Sequence, residues 1–134
     1  MFEFLEHTAD VGILVRGETL EEFFAEAARG MFAILCESTP EGEAIVHEIN
    51  LNANDIESLL VNFLSELLFL FESKSFVPRE FQFHHIDEGS LDVVCIGAIA
   101  PKPFYGTEIK GITHHMLEVE STPNGLEARI YFDL

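Results

Sequence analysis

Apolar residues early in the chain recur at three- and four-residue spacing, which predicts an amphipathic helix. The repeat runs from Leu20 to Phe32. Residues 19–22, Thr-Leu-Glu-Glu, form a capping box in front of it, in which a hydroxyl and a carboxylate each meet a free backbone N–H. The helix is expected to end near Cys36, before Ser38-Thr39-Pro40.

A second helix is predicted to begin at Asn54 or Asp55 and to continue to Phe71. Its apolar stripe is wide, so the helix is expected to be buried on more than one side.

Elsewhere the apolar period changes to two, which is typical of strands. The predicted strands are Phe2 to Leu5, Ile13 to Arg16, Ala44 to Leu51, Phe81 to Phe83, Leu91 to Ala100, Ile112 to Glu120 and Leu126 to Asp133. Pro78 marks a strand start or an edge. The strand from Leu91 is apolar at both phases and is predicted to be central and covered on both faces. Residues 122–125, Thr-Pro-Asn-Gly, predict an antiparallel hairpin between the last two strands.

This order of elements predicts an α+β fold, with two main helices packed on a largely antiparallel β-sheet. The length, 134 residues, suits a single compact domain spanning residues 1–134.

Charge narrows the choice of partners. The chain has seven basic and 24 acidic residues, which gives a formal net charge of −17. Such a charge opposes stable binding to bare RNA or DNA and suits a basic partner, or one that binds nucleic acid through a basic channel. A plain solubilising role for the acidic surface is the alternative.

The remaining composition indicates a cytoplasmic protein without membrane contact. Cys36 and Cys95 are flanked by apolar residues and lack a Cys-x-x-Cys spacing, so buried structural thiols are expected. The first residues carry no basic stretch typical of a signal peptide. The longest apolar runs are too short to span a bilayer.

Two aspartates are candidates for a metal site. Alternation along the last strand places Asp133 on its polar face, next to the terminal carboxylate of Leu134. Asp10 closes a polar His-Thr-Ala-Asp cluster between the first two strands. Hard cations prefer several oxygen ligands, but nothing in the sequence itself brings positions 10 and 133 together. The alternative is that Asp10 caps a turn and Asp133 is solvated.

The histidines also raise the question of a zinc site. His84-His85 and His114-His115 are adjacent pairs on predicted strands, where successive side chains point to opposite faces. One pair therefore cannot chelate a single ion, and no zinc motif such as His-Glu-x-x-His is present.

Four features in this order resemble the archease family, and the resemblance covers the whole chain. They are the signature at residues 7–10, the acidic first helix, the Lys-Gly-Ile-Thr-His run at residues 110–114, and Asp133 next to the end. The resemblance implies a divalent metal, Ca²⁺ or Mg²⁺/Mn²⁺, held at Asp10 and Asp133 with Leu134 beside them. It also implies a functional role for Lys110, which could otherwise be an ordinary loop lysine. His7, beside Asp10 in the signature, would orient that carboxylate or serve as a third ligand; the alternative is an ordinary hydrogen-bonded histidine.

The function implied by the resemblance is that of a non-catalytic cofactor. Members of the family activate an RtcB-type RNA ligase in tRNA splicing, promoting its guanylylation and multiple turnover. Two alternatives remain open. One is a general chaperone or protein-modulating factor; the other is a metal-dependent phosphohydrolase built on Asp10 and Asp133, which would lack a clear base or nucleophile.

Overall fold

Two helices and two antiparallel sheets build the fold in a computed structural model that describes residues 1–5, 11–36, 40–101, 106–114 and 116–134. In chain order the described elements are β1 (Phe2–Leu5), β2 (Val11–Gly17), α1 (Leu20–Leu35), β3 (Ile45–Asn52), α2 (Ile56–Lys74), β4 (Phe76–Ile86), β5 (Ser90–Ile99), β6 (Gly111–Thr113), β7 (Glu120–Thr122) and β8 (Gly125–Asp133). The predicted α+β class is confirmed. The prediction described one sheet, whereas the strands divide between two.

Helix α1 begins where its capping residues predict. The Glu22 N–H donates to Thr19 Oγ1 at 3.2 Å, and Glu22 Oε2 accepts from the Glu18 N–H at 3.1 Å. The helix ends at Leu35, with Cys36 as its C-cap, as predicted. Glu21 and Glu22 lie in the first turn, where negative charge complements the helix dipole.

Helix α2 is buried on more than one side, which confirms the prediction from its wide apolar stripe. Asp55 caps it, accepting from the Ser58 N–H at 2.7 Å. Ser75 ends it in the left-handed region, at φ 57°. The helix contacts β3 and β4 in one sheet and β6 in the other, so burial of a single narrow face would not be enough for its position.

Strand β8 is interior to the larger sheet, whose order is β1-β2-β8-β6, with β7 also paired to β8. The smaller sheet has the order β3-β5-β4. Residues from both sheets and both helices share one core, whose largest fully buried aromatic side chains are Phe23, Phe24, Phe63, Phe76 and Phe132.

The predicted strand from Ile112 to Glu120 is wrong in its middle. β6 stops at Thr113, and pairing with β8 resumes only at Glu120. Between them the Leu117 N–H donates to His114 O at 3.1 Å, and Met116 has φ 58°. A turn therefore interrupts the apolar pattern. The hairpin between β7 and β8 is confirmed, with Thr122 opposite Gly125.

The prediction for β5 is half correct. The strand is central, between β3 and β4, but it is covered on one face only. Leu91, Val93 and Cys95 are buried against the core, whereas Asp92 is exposed and Val94 is half-buried. Apolar residues at both phases thus do not require two covering layers.

The predicted burial of the thiols holds for Cys95 and only in part for Cys36. Cys95 is fully buried, and burial raises its pKa to about 12. Cys36 is half-buried, and burial raises its pKa as well. Neither helix combines the length and apolar character needed to cross a membrane, judged over the described residues.

Candidate functional site at the end of strand β8

The end of β8 brings distant parts of the sequence together. On one side Val11, the first residue of β2, is opposite Phe132. On the other side Gly111, the first residue of β6, is opposite Asp133. A segment from the start of the chain and two segments from its C-terminal part therefore meet at this end of the larger sheet.

Lys110 is held directly beside Asp133. Its backbone N–H donates to Asp133 O at 2.8 Å. The preceding residue, Ile109, is fully buried and anchors this segment in the core. The Lys110 side chain itself is exposed, so its ammonium group is accessible to a ligand or a partner.

Asp133 lies on the outer, polar face of β8, as the alternation along the strand predicts. Leu126, Ala128, Ile130 and Phe132 face the core. Asp133 is exposed, and Leu134 after it is 41% exposed. Carboxylate oxygens at this strand end are thus open to solvent.

His7 and Asp10 lie outside the described residues, so their roles stay predictions. The nearest described landmarks are Leu5, which pairs with Gly12, and Val11, which pairs with Phe132. Val11 follows Asp10 in the sequence, and Phe132 precedes Asp133.

The described residues contain no cluster of three or more histidine, cysteine, aspartate or glutamate side chains able to hold a metal ion. Asp133 and Leu134 therefore form only part of any metal site, which would need Asp10 or oxygens from a partner to be complete. The oxygen donors that are present suit a hard cation.

One histidine cluster lies away from this site, in the turn between β4 and β5. His85 Nε2 is 3.0 Å from Asp87 Oδ2 and 2.9 Å from Ser90 Oγ. Backbone hydrogen bonds from Gly89 and Ser90 lower the pKa of Asp87. Because the carboxylate and the hydroxyl meet the same ring nitrogen, the imidazole cannot relay a proton between them. The cluster stabilises the turn.

The sequence analysis did not predict the contacts of two further residues. Tyr131 covers Gly12 on the outer face, and a Cβ at position 12 would come within 2.6 Å of the tyrosine ring. Glu57, on α2, accepts the Val119 N–H at 2.9 Å and fixes the segment between β6 and β7. Neither contact has a local signature, because each joins residues far apart in sequence.

A cleft of about 210 Å³ lies on the same outer face and includes Leu14, Met116 and Tyr131 in its lining. Three glutamates and Arg129 also line it. The face next to the candidate site is therefore mainly acidic.

This fold and site define a class of protein: a small acidic α+β domain that presents a lysine and a carboxylate at the end of an interior strand. Comparison with known families makes the assignment more specific. The Archease protein family (MTH1598/TM1083) matches residues 2–134.

Similar sequences come from archaea and vertebrates. The chain is 38% identical over 139 residues to Protein archease of Methanosarcina mazei, covering 99% of this chain and 95% of that protein. It is 36% identical over 127 residues to Protein archease of Danio rerio, covering 90% of this chain and 78% of that protein. The chain therefore belongs to the archease family, as its sequence motifs predict.

Solved structures have the same fold. The solution structure of Methanobacterium thermoautotrophicum protein 1598 has a TM-score of 0.77 and 29% identity, covering 99% of this chain and 98% of that one. A Thermotoga maritima structure, described as an archease and possible chaperone, has a TM-score of 0.71 and covers 97% and 94% of the two chains. At 22% identity the second likeness concerns the fold alone.

Proposed function

We propose that this protein is a non-catalytic cofactor that activates an RtcB-type RNA ligase, promoting its guanylylation and its multiple turnover. Membership in the archease family, over residues 2–134, is the observation that carries the proposal. The cytoplasmic location predicted from the sequence belongs to the same proposal.

The end of β8 supports a role for Asp10, Lys110 and Asp133 in this activity. Asp10 is one Cα step, about 3.8 Å, from Val11 along the chain. Val11 pairs with Phe132, and Lys110 bonds to the backbone of Asp133. The three positions that the proposal treats as functional are thus linked to the end of β8, since Asp10 precedes Val11, Lys110 bonds to Asp133, and Asp133 is the last residue of the strand.

The proposed metal ligands are Asp10, Asp133 and the carboxylate of Leu134. These oxygens suit Ca²⁺ or Mg²⁺/Mn²⁺, and His7 would orient Asp10 or provide a further ligand. A bound divalent cation would neutralise charge on a transferring phosphoryl group. Lys110 would add a positive charge from the protein at the same end of β8, where it could contact a phosphate oxygen.

Charge supports docking to a ligase rather than to RNA. The formal net charge of −17 repels a phosphate backbone and attracts a basic RNA-binding cleft. Asp133 and Leu134 at an exposed strand end could enter such a cleft, whereas bare tRNA would not be bound.

A multiple-turnover ligation assay with the RtcB-type ligase of the same organism tests the proposal. We expect the protein to raise product well beyond one equivalent per ligase. Asp133→Asn should reduce this activation by at least about tenfold, the change expected when a metal-ligand or supporting contact is lost. Asp92→Asn, which changes an exposed aspartate on β5, is the matched control and should activate normally.

Lys110→Met forms the second arm, with Lys74→Met at the end of α2 as its control. Loss of activation with the first and not the second would assign a role to the Lys110 ammonium. If the wild-type protein leaves an active ligase unchanged, the proposal is wrong. Suppression of aggregation of unrelated proteins would then favour the chaperone alternative, and phosphoester turnover with added Mg²⁺ or Mn²⁺ would favour the hydrolase.

A further inference from the structure

Strand β3 is an edge strand whose outward backbone groups can be assigned from neighbouring hydrogen bonds. Among the described strands it pairs with β5 alone, with Asn52 opposite Ser90. At the next pair of residues along this ladder, the Ala53 N–H donates to Gly89 O at 2.8 Å. Hydrogen-bonded and non-hydrogen-bonded pairs alternate along an antiparallel ladder. The bonded positions are therefore Leu51, Ile49, His47 and Ile45.

It follows that the N–H and C=O groups of Val46, Glu48, Asn50 and Asn52 point to the free edge. The hydrogen bonds on the other side of β5 are consistent with this assignment. The Ala100 N–H points towards β4 and donates to Ser75 O at 2.8 Å. All four of these β3 residues are exposed. No backbone hydrogen bond within the described part of the chain engages them.

The other sheet edges are protected against such pairing, but β3 is not. On β4, Pro78 and two register shifts, at Pro78/Glu80 and Phe83/His85, interrupt the edge. In the larger sheet the edge strands β1, β6 and β7 have at most four residues. β3 has eight residues in unbroken register and contains no proline, glycine or lysine.

The outer face beside this edge combines an apolar stripe with acidic neighbours. Val46 is 59% exposed and lies opposite Ile96 of β5, which is half-buried. Glu48 lies in the next row, opposite Val94. Glu80 lies on the far side of Ile96, on β4.

We propose that the β3 edge binds an extended segment of a partner protein, in which basic and β-branched residues take turns at every second position, so that both lie on one face of the segment. The partner strand would bond to the outward groups of β3, its apolar side chains would continue the stripe of Val46 and Ile96, and its cations would face Glu48. A second copy of this chain is a poor occupant, because it carries the same net charge of −17. The proposal is independent of ligase activation, which concerns the other sheet.

Amide exchange with a synthetic peptide tests the proposal on the full chain. The probe is a labelled peptide that matches β3 in length and carries valine and lysine in turn at every second position, with threonine between them, so that valine and lysine lie on the same face. We expect it to bind, and to slow exchange of the N–H groups of Val46, Glu48, Asn50 and Asn52. The same peptide with glutamate in place of each lysine should not bind. Protection elsewhere, or at none of these four groups, would overturn the proposal.

Two variants separate edge pairing from general charge attraction. Glu48→Lys should weaken peptide binding by at least about fivefold, whereas Glu72→Lys on α2, an equal charge change elsewhere, should not. Asn50→Pro removes one outward N–H without touching the ladder to β5, and it should also abolish protection. Equal losses with Glu48→Lys and Glu72→Lys would contradict the proposal. If the same four N–H groups are protected without peptide and sedimentation shows dimers, the occupant of the β3 edge is a second copy of this chain, and the proposal of a basic partner is wrong.

Discussion

At the scale of single residues, Glu26 on α1 binds two cationic groups at once. Its Oε2 is 3.0 Å from the Met1 ammonium, and its Oε1 is 2.6 Å from Arg29 Nη1. Burial opposes ionisation of this carboxyl, but hydrogen bonds from the ammonium and from Arg29 outweigh it. The pKa of Glu26 therefore lies below its ordinary value of 4.5.

A depressed pKa determines the pH dependence of the stability that Glu26 contributes. The contribution is fully present above the ordinary value and is lost as the pH falls through the lower folded value. Glu26→Gln should lower the free energy of unfolding by about 1 kcal/mol at neutral pH, since its partners are half-exposed. Urea unfolding over a pH series should show this difference shrink below pH 4.5.

Glu43→Gln is the control for this experiment, since Glu43 is exposed and precedes β3. It should change stability little at any pH. A difference between wild type and Glu26→Gln that stays constant down to acidic pH would show that the ion pairs do not cause it.

At the scale of elements, a helix determines the shape of a connection between two strands. Glu57, in the first turn of α2, accepts the Val119 N–H at 2.9 Å, although 62 positions separate them. This contact and the turn at His114 keep the segment between β6 and β7 out of the sheet. The apolar alternation from Ile112 therefore does not produce one continuous strand.

Glu57→Ala should release this connection while α2 remains folded. The Val119 N–H loses a partly buried charged acceptor, so we expect a cost of about 1 to 3 kcal/mol. Hydrogen exchange should show faster exchange at Val119 than in wild type, with the β8 amides unchanged. Glu72→Ala, on the same helix, is the control. Unchanged exchange at Val119 would mean that other contacts hold the segment.

At the scale of the whole molecule, the net charge of −17 governs the approach to any basic partner. Steering by such a field weakens as salt shortens the Debye length from about 10 Å at 0.1 M to about 3 Å at 1 M. The rate of association with the ligase should therefore fall steeply over this range. Stopped-flow measurements with labelled ligase would show it, and a salt-independent rate would exclude electrostatic steering.

The sequence by itself determined the local elements of this protein. The capping residues Thr19 and Asp55 mark the starts of both helices, because their side chains bond to backbone groups only three positions away. Alternation along β8 places Asp133 on the polar face for an equally local reason. The motifs at residues 7–10 and 110–114, together with the acidic first helix and Asp133, also predicted the family, which the comparisons confirm.

Only the tertiary structure decided how these elements meet. The insertion of β8 between β2 and β6 places Lys110 beside Asp133, and Glu57 of α2 accepts the Val119 N–H in the connection that follows β6. Local propensity cannot specify such contacts, because strand pairing joins residues that are remote in sequence and is selected by packing of the shared core. The same holds for β3, whose composition predicts a strand but whose free edge exists only because the strands divide into two sheets.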